Sequence, residues 1–231
     1  MSTVLITGAN RGLGLEFCRQ YVQSGWTTIA CCRDPGGAVE LNKLASQYNN
    51  IQIETLDISD LDQIDKLSHK LADLPIDVLI NNAGIYANDR IRASGQPDYQ
   101  AWNKSFLVNT QAPVKMAEDF LPQIKRSEKK LIVSISSLMG SITDNTSGGS
   151  ILYRSSKAAL NSAMKCLALA LKEQSVGVLI LHPGWVKTDM GGINALINAN
   201  ESVSGMRSVI DNFSLEQSGC FVKYDGTKLP W

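Results

Sequence analysis

Short runs of Val, Ile, Leu and Thr alternate along the chain with longer segments in which apolar residues recur at helical spacing. The runs are continuous rather than alternately apolar and polar, which is typical of strands covered on both faces of a parallel sheet. The predicted strands are 3–7, 27–32, 51–56, 78–80, 131–135, 177–181 and 220–222. The predicted helices lie near 13–24, 37–48, 60–73, 98–126, 152–174 and 201–212. This order predicts an α/β fold in one domain spanning 1–231, with a doubly wound, mainly parallel, seven-stranded sheet flanked by helices.

Charge and composition narrow the possible functions. Lys and Arg total 22 and Asp and Glu total 22, so the formal net charge is zero. This balance gives no indication of a surface for nucleic acid or for an anionic membrane. No apolar run reaches the ~20 residues that cross a bilayer, and the chain starts with a strand-like run instead of a secretion signal. We expect a cytoplasmic protein that binds neither nucleic acid nor membrane.

The cysteines predict neither a disulfide framework nor a metal site. There are five of them, an odd number, and none belongs to a CxxC pair or to a cluster with ligand spacing. We expect free thiols in a reducing compartment, and no bound metal.

A glycine-rich run, VLITGANRGLGLEF, leads from the first strand into the first helix. Gly8, Gly12 and Gly14 allow a tight turn and a close approach of backbone to a pyrophosphate at the helix N-terminus. Three glycines alone would also suit a simple turn, but their position at the first strand–helix junction favours a dinucleotide site.

Arginines near this junction predict which dinucleotide binds. Arg33 ends the second strand and Arg11 lies in the glycine loop, so two guanidinium groups are available for a 2′-phosphate. Asp34 weakens this argument, and a solvated loop charge is the alternative for Arg33. We therefore expect NADP(H) in preference to NAD(H), with NAD(H) still possible.

Other strand ends carry candidate ligand contacts. Asp57 is a candidate partner for the adenine amino group, although a turn or helix cap explains it nearly as well. The run NNAG at 81–84 suits backbone that passes close to a cofactor. Pro183 and Gly184 force a turn after the sixth strand, and Thr188 is a candidate partner for the nicotinamide amide.

A tyrosine and a lysine, Tyr153 and Lys157, share one face of a predicted helix because they are four residues apart. A nearby ammonium lowers the pKa of a phenol, which could then exchange a proton with a carbonyl oxygen. An isolated pair of this kind would more often be a surface pair. Ser137, with Ser136 as its competitor, follows the fifth strand and is a candidate to hold the substrate oxygen, and Asn109 lies in an earlier helical pattern.

Together these motifs resemble the short-chain dehydrogenase/reductase family over nearly the whole chain. The matching segments are TGANRGLG at 7–14, NNAG at 81–84, Asn109, Ser137, YRSSK at 153–157 and PGWVKT at 183–188. A narrower likeness, which includes YDGTKLPW at 224–231, is to sniffer-type carbonyl reductases and bacterial C-factor signalling proteins. The resemblance implies a Rossmann fold, a nicotinamide cofactor and a small carbonyl or alcohol substrate.

The resemblance also implies residue roles. Tyr153 would be the general acid/base, Lys157 would lower its pKa and bind the nicotinamide ribose, Ser137 would polarise the carbonyl, and Asn109 would hold a water of a proton relay. The implied cofactor-binding residues are Gly8, Asn10, Arg11, Gly12, Leu13, Gly14, Arg33, Asp57, Ile58, Asn82, Ala83, Gly84, Tyr153, Lys157, Pro183, Gly184, Val186 and Thr188.

One departure from the family concerns the substrate side. Most members have the serine 13 residues before the tyrosine, whereas here Ser137 precedes Tyr153 by 16. The extra residues fall in the loop 143–150, within the expected substrate-side loops 84–98, 138–150 and 184–204. The candidates for an apolar substrate pocket, each also explained by packing, are Tyr86, Leu138, Met139, Trp185 and Met190.

The leading hypothesis is an NADP(H)-dependent oxidoreductase that acts on a carbonyl or secondary alcohol. The alternative is a dinucleotide-binding signalling or regulatory protein of the C-factor type with little turnover, and dehydratase or epimerase chemistry is less favoured. Small residues on the tyrosine helix, Ala158, Ala159 and Ala163, predict a homodimer or homotetramer, with packing inside one chain as the alternative.

Overall fold

The computed structural model describes residues 2–87 and 97–231. Seven strands form one sheet in the order β3-β2-β1-β4-β5-β6-β7, and every neighbouring pair is parallel. The strands are β1 (Thr3–Thr7), β2 (Thr27–Cys32), β3 (Ile51–Thr55), β4 (Val78–Asn81), β5 (Leu131–Ile135), β6 (Gly177–His182) and β7 (Phe221–Lys223). The predicted doubly wound α/β sheet is confirmed, with strand ends that differ from the prediction by at most one residue.

Eight α-helices cover the two faces of this sheet in the described part of the chain. They are α1 (Gly12–Gln23), α2 (Val39–Gln47), α3 (Leu61–Lys70), α4 (Tyr99–Phe106), α5 (Ala112–Asp119), α6 (Leu121–Lys125), α7 (Ile151–Ala170) and α8 (Ala199–Asp211). The prediction of one helix over 98–126 is wrong, because α4, a π-helical turn at Leu107–Gln111, α5 and α6 share that segment. Among the described helices, none is long and apolar enough to span a membrane.

The core consists of two apolar layers, one on each face of the sheet. Leu5, Leu79 and Ile132 pack into one layer, and Val4 and Ile80 pack into the other, because successive strand residues point to opposite faces. Strands with buried residues on both faces explain the continuous apolar runs in the sequence. Of the expected substrate-side loops, residues 88–96 lie outside the described residues.

The outer edge of β7 is covered by the segment 224–231. The Lys223 N–H donates to the Thr227 carbonyl (2.8 Å), and the Leu229 N–H donates to the Phe221 carbonyl (2.9 Å). The Trp231 ring packs against that of Phe221, with 5.8 Å between centroids. This antiparallel return satisfies backbone groups that an edge strand otherwise exposes.

Candidate active site

The glycine loop after β1 has no room for side chains at Gly8 and Gly14. Gly8 and Gly12 have φ values of 66° and 55°, in the left-handed region that favours glycine. A Cβ atom at Gly14 would lie 2.1 Å from the Gly8 carbonyl oxygen. The loop therefore packs its backbone directly against the start of α1.

Hydrogen bonds from the end of β4 hold the glycine loop in place. The Thr7 hydroxyl accepts from the backbone N–H groups of Asn82 (3.1 Å) and Ala83 (3.0 Å). The Asn82 amide donates to the carbonyls of Thr7 (2.9 Å) and Gly8 (3.2 Å). The Asn82 side chain thus fixes the loop itself, a role that its motif alone did not indicate.

The start of α1 suits an anionic group. Its first turn carries no acidic residue, and Arg11 at the N-cap makes no side-chain cap. The first N–H groups of a helix have no partner within it and carry partial positive charge. A pyrophosphate therefore fits at the glycine loop, as a dinucleotide cofactor requires.

The other residues of the loop differ in exposure. Asn10 and Arg11 are exposed, Leu13 is partly buried against the core layer of α1, and Arg33 is exposed after β2. Arg11 forms an ion pair with Asp189 (2.7 Å), in which both side chains are largely exposed. Arg11 therefore reaches across to the segment after β6.

Asp57 forms a turn before α3. One of its carboxylate oxygens accepts from the Ser59 N–H (2.9 Å) and from the Ser59 hydroxyl (2.7 Å). Burial acts to raise its pKa, but the Ser59 hydrogen bonds and the Arg33 charge outweigh burial, so the pKa is lowered. The turn role considered from sequence is present. The neighbouring Ile58 is buried in the core.

Ser137, rather than Ser136, faces the tyrosine. The Ser136 hydroxyl is buried and donates to the Asn161 side chain (2.6 Å). The Ser137 hydroxyl acts to lower the pKa of Tyr153, and its oxygen accepts from the Met139 N–H (3.1 Å). The alternation of side chains along an extended chain directs these two neighbours to opposite sides.

Tyr153 and Lys157 are both buried, with 7% and 5% of their surfaces exposed. Burial raises the pKa of Tyr153 to about 12, although the Ser137 hydrogen bond acts in the opposite direction. Burial lowers the pKa of Lys157 to about 8. At neutral pH the phenol is therefore protonated, while the lysine is close to its titration range.

The predicted lowering of the Tyr153 pKa by Lys157 is not found in this structure. The Lys157 ammonium donates to the Ile135 carbonyl (2.8 Å) and lies 5.8 Å from the centroid of the Tyr153 ring. The ammonium therefore approaches the face of the ring. Desolvation of the phenol determines the direction of the Tyr153 pKa shift.

Asn109 lies in the π-helical turn and is fully buried. Its amide oxygen accepts from the Ile85 N–H (2.8 Å), and its amide nitrogen donates to the Ile85 carbonyl (2.9 Å) and the Ser156 hydroxyl (3.0 Å). The side chain thus holds the backbone after β4 against α7. Gly84 passes close by, since a Cβ there would be 3.2 Å from the Asn109 oxygen and 3.6 Å from the Lys157 amine.

The enlarged loop before Tyr153 is held at several points. The Thr143 N–H donates to the Trp231 carbonyl (2.8 Å), and the Arg154 guanidinium donates to Ser147 (3.2 Å). The last loop residue, Ser150, has a φ of 46°. The path that the sequence left open therefore runs against the segment 224–231.

The segment after β6 turns towards the glycine loop. Gly184 has a φ of 83°, and a Cβ there would lie 2.8 Å from the Ile197 side chain. Val186 is buried and pairs with Ile197, while the Pro183 carbonyl accepts from Ser202 (2.6 Å). A Cβ at Gly12 would be 3.5 Å from the Thr188 methyl, so these two predicted residues are neighbours.

Sequence reasoning missed three residues that shape the site. They are Thr7, whose hydroxyl joins two strand ends, Ser156, which bonds Asn109, and Gly140, where a Cβ would be 2.8 Å from the Lys157 backbone. Thr7 belongs to the TGANRGLG motif, which was the available signal. Ser156 lies one position before Lys157 on a predicted helix, and no pattern indicated the role of Gly140.

Comparison with known proteins gives consistent matches. The model of the short chain dehydrogenase family matches residues 2–195. The C-signal protein of Myxococcus xanthus is 41% identical over 157 residues, which are 68% of this chain and 93% of that protein. The solved structure of NADPH-bound carbonyl reductase from chicken fatty liver is 36% identical with a TM-score of 0.91, covering 100% of this chain and 99% of that one. Carbonyl reductase Sniffer of D. melanogaster is 37% identical with a TM-score of 0.93, covering 100% of both chains.

Proposed function

This chain belongs to the short-chain dehydrogenase/reductase family, and from that premise we propose that it is an NADP(H)-dependent oxidoreductase. It transfers a hydride between the nicotinamide and the carbon of a carbonyl or secondary alcohol. The observation that carries the proposal is the buried group Ser137, Tyr153 and Lys157, which lies at the same edge of the sheet as a glycine loop that has no room for side chains at Gly8 and Gly14. We assign the activity to one domain spanning 1–231.

The chain's own residues orient the substrate and supply the proton. NADPH, when bound, supplies a hydride to the carbonyl carbon and leaves as NADP⁺. The Ser137 hydroxyl donates a hydrogen bond to the carbonyl oxygen and holds it near Tyr153. Tyr153 is protonated at neutral pH and gives its proton to that oxygen, so the product is an alcohol.

Lys157 restores the proton. Its amine, with a pKa of about 8, exchanges protons near neutral pH and stabilises the phenolate that forms on Tyr153. Both N–H groups of the Asn109 amide are used within the protein, so we propose that Asn109 mainly holds the backbone at Gly84 and Ile85. The water relay implied by the family stays a prediction.

Two features of the chain support the choice of NADP(H). Arg33 is exposed at the end of β2 beside the glycine loop, and no acidic residue occupies the first turn of α1. An arginine at the end of the second strand suits a 2′-phosphate. The chicken carbonyl reductase that this chain resembles was solved with NADPH.

The signalling alternative is not favoured, because binding alone gives no reason for a buried proton-transfer group.

Replacing Tyr153 by Phe tests the proposed function. We expect the rate of NADPH oxidation with a responsive aldehyde to fall 10²- to 10⁴-fold, because the proton donor is lost. NADPH binding, measured by the change in cofactor fluorescence, should remain. Wild-type turnover in the Tyr153→Phe variant, or no reduction of any carbonyl in a broad panel by the wild type, would contradict the proposal.

We also propose that the protein is a cytoplasmic homo-oligomer, a dimer or a tetramer. All five cysteines are free, and three of them are buried. On the outside of α7, Ser162, Cys166 and Leu169 are exposed. A charge on this face, as in Leu169→Glu, should lower the mass measured by light scattering, and an unchanged mass would place the contact elsewhere.

A further inference from the structure

Tyr86 covers the catalytic tyrosine. Its ring centroid lies 4.8 Å from that of Tyr153, with 47° between the ring planes. Tyr86 is 43% exposed whereas Tyr153 is only 7% exposed. One part of the Tyr86 ring therefore shields the phenol, and the rest is open to an incoming molecule.

The position of Tyr86 is fixed from both ends of its side chain. At the backbone, Asn109 holds the preceding residue, Ile85, through both its N–H and its carbonyl. At the tip, the Tyr86 hydroxyl lies 2.6 Å from the Ser150 hydroxyl. Ser150 is the N-cap of α7 and makes no side-chain cap there. Its hydroxyl is thus engaged with Tyr86 instead of with the helix.

The backbone before Ser150 is unusual. Gly148, Gly149 and Ser150 have φ values of 65°, 68° and 46°, so three successive residues are in the left-handed region. Such a conformation costs free energy at a non-glycine residue. Ser150 is strained and bonds Tyr86, which lies next to Tyr153. A role in the active site therefore explains its conformation better than the stability of α7 does.

Other exposed apolar side chains lie on segments at the same edge of the sheet. Exposed large residues follow β5 and β6, namely Ile142, Trp185, Met190, Ile193 and Leu196. Exposed apolar residues concentrated on such segments indicate a ligand surface. A small polar substrate would leave this surface unused.

We propose that Tyr86 is the specificity-determining residue and that the substrate class is carbonyl compounds whose carbonyl group is attached to an aromatic ring. The inference rests on the proposed function. The Tyr86 ring stacks on the substrate ring, while the adjacent Tyr153 hydroxyl reaches the carbonyl oxygen. The Ser150 hydroxyl holds Tyr86 at the angle that makes both contacts possible. Aromatic pairs favour such tilted or offset arrangements.

A matched substrate pair tests this assignment. Benzaldehyde and cyclohexanecarboxaldehyde both carry the reacting group on a six-membered ring, but only the first ring is aromatic. We expect the wild type to have the higher kcat/KM for benzaldehyde. Tyr86→Leu, which keeps apolar bulk without a ring, should lower the ratio of the two kcat/KM values three- to tenfold, in line with about 0.5–1.5 kcal/mol for an aromatic pair.

Two further variants separate the ring from its hydroxyl. Tyr86→Phe and Ser150→Ala remove the same hydrogen bond from opposite sides, so they should lower the ratio by equal and smaller factors. Tyr99→Leu is the control, because Tyr99 is an exposed tyrosine that contacts Trp102. It should leave the ratio unchanged.

The outcomes distinguish this proposal from the proposed function. A ratio in Tyr86→Leu within twofold of the wild type, while Tyr153→Phe is inactive, would overturn only the role of Tyr86. Should Tyr86→Leu be insoluble, Tyr86→Met takes its place with the same expectation. If Tyr153→Phe keeps wild-type activity, the proposed function itself fails.

Discussion

Burial of Lys157 has an energetic cost that the fold has to meet. An ammonium loses hydration when it is buried, and the lowering of its pKa from 10.5 to about 8 expresses that loss. The shift corresponds to about 3 kcal/mol at a pH below both values. The hydrogen bond to the Ile135 carbonyl offsets about 1 kcal/mol of this cost. Lys157 therefore destabilises the folded protein at neutral pH.

Replacing Lys157 by Met should accordingly stabilise the protein while removing its activity. The folded pKa is depressed below the unfolded value, so the unfolded state binds more protons between about pH 8 and 10.5. The cost is fully present below pH 8 and is lost as the pH rises towards 10.5. We expect Lys157→Met to unfold in urea with a free energy about 1–2 kcal/mol higher than the wild type at pH 7.

The difference in the free energy of unfolding between Lys157→Met and the wild type should decrease between pH 8 and 10. Lys165→Met is the control, because Lys165 lies exposed on the same helix. Its difference from the wild type should not depend on pH over this range. If Lys157→Met is less stable than the wild type at every pH, burial of the charge is not the main cost at this position.

The position of an individual side chain could be predicted from the sequence where its motif also determines the direction in which the side chain points. Tyr153 and Lys157 lie on one face of α7, as their spacing requires. The direction of the Tyr153 pKa shift was not predictable, because it depends on how deeply the tertiary structure buries the phenol. Asn82 likewise bonds backbone that is 74 and 75 residues away, and no local pattern encodes that contact.

At the scale of elements, the segment 98–126 shows what periodicity misses. Pro122 lies at the start of α6 and Pro113 at the start of α5, so proline positions could have divided the predicted helix. The π-helical turn around Asn109 has no such signal. It forms where the Asn109 side chain bonds the backbone after β4, and inserted turns of this kind often occur at functional sites.

Removing the Asn109 amide should therefore cost stability as well as activity. Asn109→Leu leaves the N–H and carbonyl of Ile85 without their partner, and the Ser156 hydroxyl keeps only its bond to the Tyr153 carbonyl. We expect the free energy of unfolding to fall by about 2–3 kcal/mol, measured by urea denaturation. Asn109→Asp is the matched comparison, because it can still accept from the Ile85 N–H. Its free energy of unfolding should fall at least as much, since a fully buried carboxylate oxygen then faces the Ile85 carbonyl in place of an N–H donor. A loss below about 0.5 kcal/mol in Asn109→Leu would mean that water replaces the amide.

At the scale of the whole molecule, the sheet has two edges that need different protection. The edge strand β3 carries charge, since Glu54 pairs with Lys70 (2.7 Å). The other edge, β7, is short and is covered by the segment 224–231, which also contacts the substrate-side loop at Thr143. The sequence predicts β7 as a strand, and the only local signal for this return is Asp225-Gly226, a turn dipeptide whose glycine has a φ of 86°. The pairing itself uses backbone groups that every residue has.

A chain that stops at Gly226 should reveal how much this cover matters. Without residues 227–231, the Lys223 N–H and the Phe221 carbonyl lose their partners, and the Phe221 ring loses Trp231. An uncovered edge strand pairs with other chains, so we expect light scattering to detect association that increases with protein concentration. Trp231→Ala keeps the backbone pairing at 227–229 and should not associate in this way, although it loses the ring contact. If the shortened chain has the same mass as the full one at every concentration, the return does not protect the edge. If Trp231→Ala associates as strongly as the shortened chain, the exposed Phe221 side chain, rather than the unpaired backbone, drives the association.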